Sequence, residues 1–363
     1  MKLHRSTVWL TAIIAFGACS KDGVTPPPPG SECPPATALV LQVPAGFPEL
    51  PATPGNPLTE EGVALGRLLF YDPILSGDSS QACGMCHLQA SAFGDSRRFS
   101  EGIDGIKGDR QAPTIVNPAW TGITFWDGRA TGLEDQAKGP VPNPIEMHLP
   151  WPDAIKRLER HAEYPDLFCA AFGDKRITVE RVVKAIAQFE RTFISTNSKY
   201  DQVRRGEAAF SPEEFAGYRI FTTEVGDCFH CHMEPLFTTN TFHNTGLDSV
   251  IVDRGRSEIT GNPADIGKFK APSLRNVTES SPYMHDGRFS SLRQVIEHYN
   301  LGFHDSDDVD PLIRARIPNP NVPPNQRRRP MRDGEIDTLM VFLESLTDPD
   351  FLTNPNLANP YRP

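Results

Sequence analysis

Apolar residues recur at helical spacing in several stretches of the chain. From Thr178 to Ile194, Val182, Val183, Ile186, Phe189, Phe193 and Ile194 fall near a 3.6-residue period and predict a long amphipathic helix. Asp333 to Leu346 repeats the pattern with Ile336, Leu339, Met340, Phe342, Leu343 and Leu346 inward. Leu292 to Tyr299 also reads as helical. Two more helices are signalled at their N-termini. Thr59-Glu60-Glu61 opens a segment containing Gly66-Arg67-Leu68-Leu69-Phe70, and Ser211-Pro212-Glu213-Glu214 opens one containing Gly217-Tyr218-Arg219-Ile220-Phe221. A hydroxyl cap satisfies the first N–H groups, acidic residues complement the helix dipole, and Pro212 fits the first helical position. Polar Ser195 to Arg205 reads as a joint between halves, and Asp305 to Arg332 as a surface insertion without assigned structure.

The N-terminus has a different pattern. Lys2 and Arg5 precede an apolar run, Val8 to Ala18, too short to span a bilayer as a stable helix. Residues 1–18 read as a secretory signal, with Cys19 as a lipidated first residue; ordinary cleavage nearby is the alternative. Residues 19–50, with Pro26-Pro27-Pro28-Pro29, read as an extended tether. These features predict a periplasmic body that meets the membrane only through its anchor. Removing Lys2 and Arg5 takes the formal charge from −10 to −12, which argues against nucleic-acid binding. The body divides into residues 51–200 and 201–350, with a tail at 351–363.

The two halves repeat one another. Ala112-Pro113-Thr114-Ile115-x-Asn117 matches Ala271-Pro272-Ser273-Leu274-x-Asn276. Asp127-Gly128-Arg129 and Asp286-Gly287-Arg288 each begin 14 residues after the respective Pro, and Leu133 and Leu292 follow at equal offsets. Shared residues at shared spacing indicate a tandem duplication.

Each half also carries Cys-x-x-Cys-His: Cys83-Gly84-Met85-Cys86-His87 and Cys228-Phe229-His230-Cys231-His232. This is the attachment signal for c-type haem, in which two thioethers fix the porphyrin and the adjacent His supplies an axial nitrogen. Zinc ribbons also use Cys-x-x-Cys pairs. Here, however, the pairs lie 145 residues apart and each is followed directly by His. The expected fold is therefore mainly α, with two tandem cytochrome c-like domains and two covalent haem c groups. Cys33 and Cys169 remain; in an oxidising compartment they could pair, or they could stay as separate thiols.

The halves differ in ways that divide the labour. Before Asp-Gly-Arg, the first half has Trp126 and the second His285. Only the first half has Gln136, Pro140 and Glu146 at their spacing. A haem that handles peroxide needs an open iron position and a polar pocket with a proton-moving group.

Phe125-Trp126-Asp127-Gly128-Arg129 through Gln136 and Glu146-Met147 resembles the bacterial diheme cytochrome c peroxidase family, which includes MauG. So does Ala271-Pro272-Ser273-Leu274-Arg275-Asn276 through Pro282-Tyr283-Met284-His285-Asp286-Gly287-Arg288. The resemblance covers about residues 55–350. It implies that His87 is the proximal ligand of a peroxidatic haem. Gln136 and Glu146 then line its distal pocket, Pro140 packs above it, and Trp126 lies between the haems as an electron route. His232 ligates the electron-transfer haem. The family also binds calcium between its domains; those ligands map to the Gln111 side chain and the Ser280 and Pro282 carbonyls, although the family usually has Asn in place of Gln111. Family peroxidases carry a plugging His where this chain has Ile103, which implies a first haem already open. The family's Met ligand to the second iron maps to Tyr299, as in MauG-type members; Met284 is the alternative ligand. His285 reads as a hydrogen-bonding residue near the haem or in the interdomain region rather than an iron ligand, and His243 and His298 as surface or structural residues.

The resulting expectation is a peroxidase that reduces hydrogen peroxide. Its electrons come from a small cytochrome c, a copper protein, or a protein substrate. The rivals are an oxygenase or protein-maturing oxidase using the same site, and a non-catalytic diheme electron carrier.

Overall fold

The computed structural model describes residues 33–315, 317 and 329–361. The signal at 1–18, Cys19 and the polyproline run lie outside the described residues. The α-helices in chain order are α1 Glu60–Tyr71, α2 Cys83–Cys86, α3 Gly132–Ala137, α4 Trp151–Arg160, α5 Tyr164–Phe172, α6 Val179–Glu190, α7 Lys199–Arg204, α8 Pro212–Phe221, α9 Ser257–Thr260, α10 Leu292–Glu297, α11 Pro311–Arg314, α12 Asp333–Glu344 and α13 Pro349–Thr353. Two small antiparallel ribbons accompany them. β1 Ile123–Thr124 pairs with β2 Ala130–Thr131, and β3 Phe242–His243 pairs with β4 Phe269–Lys270. No helix among the described residues is long and apolar enough to cross a membrane.

The capping signals act as their chemistry predicts. The Thr59 side chain accepts from the Gly62 N–H at the start of α1. Ser211 and Glu214 form a reciprocal capping box on α8. In each half the first helix then packs against the last. Gly66 of α1 lies so close to α6 that a Cβ would run into the Ala185 carbonyl oxygen, and Gly217 of α8 meets the Thr338 carbonyl of α12 in the same way. The duplicated glycines are therefore points of helix contact.

Two apolar clusters result. The first gathers Phe70, Phe93, Phe189 and Phe193, with Phe93 and Phe193 stacked at 3.9 Å between centroids. The second gathers Tyr200, Phe221, Phe237, Leu339 and Phe342.

Five regions differ from the sequence reading. Helix α6 ends at Glu190, four residues short of Ile194, because the chain tightens into three-residue turns (Phe193 N–H to Glu190 O, 3.0 Å). Residues 195–205, read as a polar joint, are largely internal. Ser195 and Ser198 are buried, and Asn117 and Asn276, one from each half, both hydrogen-bond Ser195. Asp201 of α7 receives two 2.8 Å bonds from fully buried Arg275. Polar composition marks exposure only when partners are lacking, and here the partners come from elsewhere in the chain.

The tether reading also fails over residues 33–50. Leu39 bonds Leu58 (3.0 Å), Trp120 Nε1 donates to the Pro48 and Glu49 carbonyls, and Cys33 forms a disulfide with Cys169 of α5. The tail returns to the first half. Phe351 enters the first cluster, and the Leu357 carbonyl accepts from Tyr71 Oη at 2.7 Å. Finally, the insertion from Asp305 carries α11. Its Val309 and Ile313 are buried and pack with Phe303 and Tyr299.

Candidate functional site

Each Cys-x-x-Cys-His segment borders its own cavity. In the first half the cysteines form the single turn α2, and His87 ends it, its N–H donating to the Cys83 carbonyl at 2.9 Å. The His87 ring Nδ1 lies 2.7 Å from the Phe93 carbonyl. In the second half, His232 Nδ1 lies 3.2 Å from the Phe237 carbonyl and 3.1 Å from that of Pro272. Phe93 and Phe237 both hold left-handed backbone, with φ of 57° and 53°. A carbonyl at Nδ1 fixes the proton there and leaves Nε2 with its lone pair, the arrangement of an oriented metal ligand. Burial keeps both rings neutral, lowering His232 to about 4.

The first cavity is also bordered by Gln136, Pro140, Glu146 and Trp126. Helix α3 carries Gln136, and the turn after Asn143-Pro144 carries Glu146. Asn143 Nδ2 donates to Glu146 Oε1 at 2.6 Å. Burial raises the Glu146 carboxyl above its ordinary value, against the opposing effects of Asn143 and Arg129. Ile103 is not part of this lining; its N–H donates to the Glu146 carbonyl at 3.0 Å. Among the described residues bordering this cavity, His87 is the one histidine. His148 lies outside it, paired with Asp104 at 2.6 Å.

The second cavity is bordered by Tyr299 and Met284 together with Gln111, Ser280 and Pro282. Tyr299 lies in a π-helical turn, His298–Gly302, that continues α10. Such turns are frequent at functional positions. Burial, with Cys231 and Cys228 adding to it, pushes the Tyr299 phenol far above its ordinary 10. His298 is buried and bonds the Thr245 carbonyl at 2.9 Å, a structural role. His243, read as surface or structural, instead borders the second cavity and pairs with Asp310 at 2.6 Å. His285 also borders it and stacks on Phe269 with centroids 3.6 Å apart.

A partition separates the two cavities. Gln111, Thr114, Trp126, Lys270, Pro272 and Ser273 border both. Trp126 Nε1 donates to the Gln111 carbonyl at 2.8 Å, which fixes the indole at the boundary. Two paired backbone bonds cross the duplication: Gln111 N–H to the His285 carbonyl, 2.7 Å, and Lys270 N–H to the Trp126 carbonyl, 2.8 Å.

Two wall residues escaped the sequence reading. Glu190 of α6 borders the first cavity, is buried, and its Oε2 has no hydrogen-bond partner. Its signal was a carboxylate four residues past Ile186, on the apolar face of the predicted helix. Lys270 was visible only by aligning the halves, where it stands in the place of Gln111.

Comparison with known proteins fits this geometry. Residues 60–209 match the family model described as di-haem cytochrome c peroxidase. Methylamine utilization protein MauG of Paracoccus denitrificans is 35% identical, over 82% of this chain and 91% of its own. Cytochrome c551 peroxidase of Nitrosomonas europaea is 32% identical, over 85% of this chain and 86% of its own. The chain belongs to the di-haem cytochrome c peroxidase and MauG family. A solved MauG-like protein associated with microbial copper homeostasis is 32% identical and covers 90% of this chain and 100% of its own, with a TM-score of 0.78.

Membership of the di-haem peroxidase family makes the chain an oxidoreductase and implies haem c as its cofactor. The residues fit that group. The four motif cysteines form no disulfide, each pair borders a cavity beside a neutral histidine, and both cavities have largely apolar walls that would accept a porphyrin face.

Proposed function

We propose that this protein reduces hydrogen peroxide at the first haem site and passes the oxidising equivalents through Trp126 to the second. The observation that carries the reading is that Gln136 and Glu146 border one cavity in which, among the described residues, His87 is the one histidine. Haem, when bound, supplies the redox-active iron. The chain supplies the rest. His87 would hold the iron through Nε2, its Nδ1 being engaged by the Phe93 carbonyl, and the Gln136 amide would orient the incoming peroxide. Glu146 Oε1 is held by Asn143, so Oε2 takes the proton from one peroxide oxygen and returns it to the other, which lets water leave. A carboxyl raised toward the working pH suits this exchange. Trp126 spans the partition as the shared wall of both cavities.

On this reading Tyr299, rather than Met284, would hold the second iron together with His232. Support comes from the packing of Tyr299 against Phe303, Val309 and Ile313, which sets the depth of its ring. A phenolate is a harder ligand than a thioether and favours the more oxidised iron. The electron source is a small cytochrome c or copper protein. The anionic ligand also favours a second reading, direct oxidation of a protein substrate. Calcium belongs to the same proposal: Gln111 Nε2 donates to the Asp95 carbonyl at 3.0 Å, which leaves Oε1 for an ion, and Ser280 and Pro282 border the same cavity as Gln111. The proposed location is the periplasm, with anchoring through Cys19.

Mixing peroxide with the haem-loaded protein and a reduced small cytochrome tests the proposal. Peroxide-dependent oxidation of that cytochrome is expected. Peroxide consumption with oxidation of only a protein side chain would favour the second reading. No reaction with peroxide would overturn both.

A further inference from the structure

Lys270 is a half-buried cation in the cavity wall that the peroxidase chemistry above leaves without a role. It lies on β4, and its backbone N–H is clamped to the Trp126 carbonyl at 2.8 Å. Its side chain borders both cavities. Among the described residues the Nζ has one hydrogen-bond partner, Asn240 Oδ1 at 3.5 Å, the edge of hydrogen-bond range. Among the described residues no carboxylate lies within ion-pair distance of it, whereas the other cations around the cavities are matched. Arg110 is held by Asp127 and by Asp253 (2.7 Å), Arg129 by Asp127 (3.0 Å), and His243 by Asp310 (2.6 Å). Burial pulls the Lys270 ammonium down to about 8, with no acidic group opposing that pull. A cation held in such a wall is stable only with a counter-charge.

The duplication sharpens the point. Lys270 occupies in the second half the position Gln111 holds in the first: each precedes Ala-Pro, and each donates its N–H to the residue before the other half's Asp-Gly-Arg. Gln111 places a neutral amide at that position and spends it on the Asp95 carbonyl. Lys270 places a positive charge there. Its neighbour Asn240 borders only the first cavity, so the ammonium leans toward that side.

We propose that Lys270 pairs with a propionate carboxylate of the first haem at the partition beside Trp126, and so raises that haem's reduction potential. The inference rests on the reading that the first cavity holds a haem. The chemistry is matched: each haem brings two carboxylates, and among the described residues the wall offers the Lys270 ammonium without an acidic partner. Lys270 is a positioning residue, acting on the potential through the propionate.

The test is spectroelectrochemical titration, with resonance Raman of the propionate bending modes, on haem-loaded parent, Lys270→Met and Lys270→Arg proteins. Lys270→Met keeps the length and packing of the side chain and removes the charge. It should shift the first haem's reduction equilibrium toward ferric by about tenfold, about 59 mV for one electron, and move a propionate band. Lys270→Arg should restore both. Two bound haems with potential and propionate bands unchanged in Lys270→Met would overturn the proposal. A shift confined to the second haem would overturn its assignment to the first. A haem stain and pyridine haemochrome count on the parent separates this from failure of the haem reading itself. If Lys270→Met folds poorly, Lys270→Gln is read in the same way.

Discussion

Replacing Glu190 with Gln isolates the ionisation of a carboxyl that the fold holds away from water. Glu190 is 4% exposed, and its Oε2 has no partner. Burial raises it from 4.5 to about 8, opposed by neighbouring Arg191 and assisted by Glu134. Between those values the folded chain keeps a proton that the unfolded chain has released. Stability therefore falls as pH rises through this window, levels off above about 8, and carries no such cost below 4.5, where both states are protonated. From 4.5 to pH 7 is about 2.5 units at about 1.36 kcal/mol each, or about 3 kcal/mol. Gln cannot ionise, and any fixed cost of its amide is the same at both pH values. The stability difference between parent and Glu190→Gln should thus change by about 3 kcal/mol in the variant's favour between pH 4.5 and 7. Urea unfolding of the haem-loaded proteins at the two pH values reads this directly. A difference independent of pH would refute the reasoning and show that Glu190 ionises freely in the folded protein.

Other outcomes follow from the same geometry. Glu146→Gln should slow peroxide-driven turnover by about 10²–10⁴ in stopped-flow assays while both haems stay bound; an unchanged rate removes Glu146 Oε2 from proton transfer. Tyr299→Met should raise the second haem's potential in a redox titration, because a neutral thioether favours ferrous iron more than phenolate does. Met284→Leu should leave that haem's spectrum intact; loss of its low-spin signal would make Met284 the ligand. Gly66→Ala should destabilise the first half by about 1–3 kcal/mol in urea, since the added methyl meets the Ala185 carbonyl and α1 must move off α6; unchanged stability would show that the two helices are not held in close contact.

What the sequence made legible is what local chemistry encodes. Thr59 and Ser211 marked helix starts because a hydroxyl cap is read from a few neighbouring residues. The Cys-x-x-Cys-His segments declared themselves because one rigid cofactor imposes their spacing. What stayed hidden depends on partners far along the chain. Residues 33–50 look like a tether until Cys169, Leu58 and Trp120 hold them. Asp201 looks like part of a solvated joint until Arg275, 74 residues on, turns it inward. The segment after Asp305 looks like a loop until Val309 and Ile313 close around Tyr299. In the site, Gln136, Glu146 and Trp126 were found because they differ between the halves. Lys270 was missed because its significance lies in having no acidic partner, which sequence cannot display.

The state of the first haem tests the central claim most directly. The fully oxidised protein, never exposed to reductant, is examined by electron paramagnetic resonance and then mixed anaerobically with hydrogen peroxide. The proposed open first site, whose described lining has His87 as its one histidine, predicts a high-spin ferric signal alongside one low-spin haem, and reaction with peroxide on first mixing. Two low-spin signals, with reaction only after prior reduction, would contradict it.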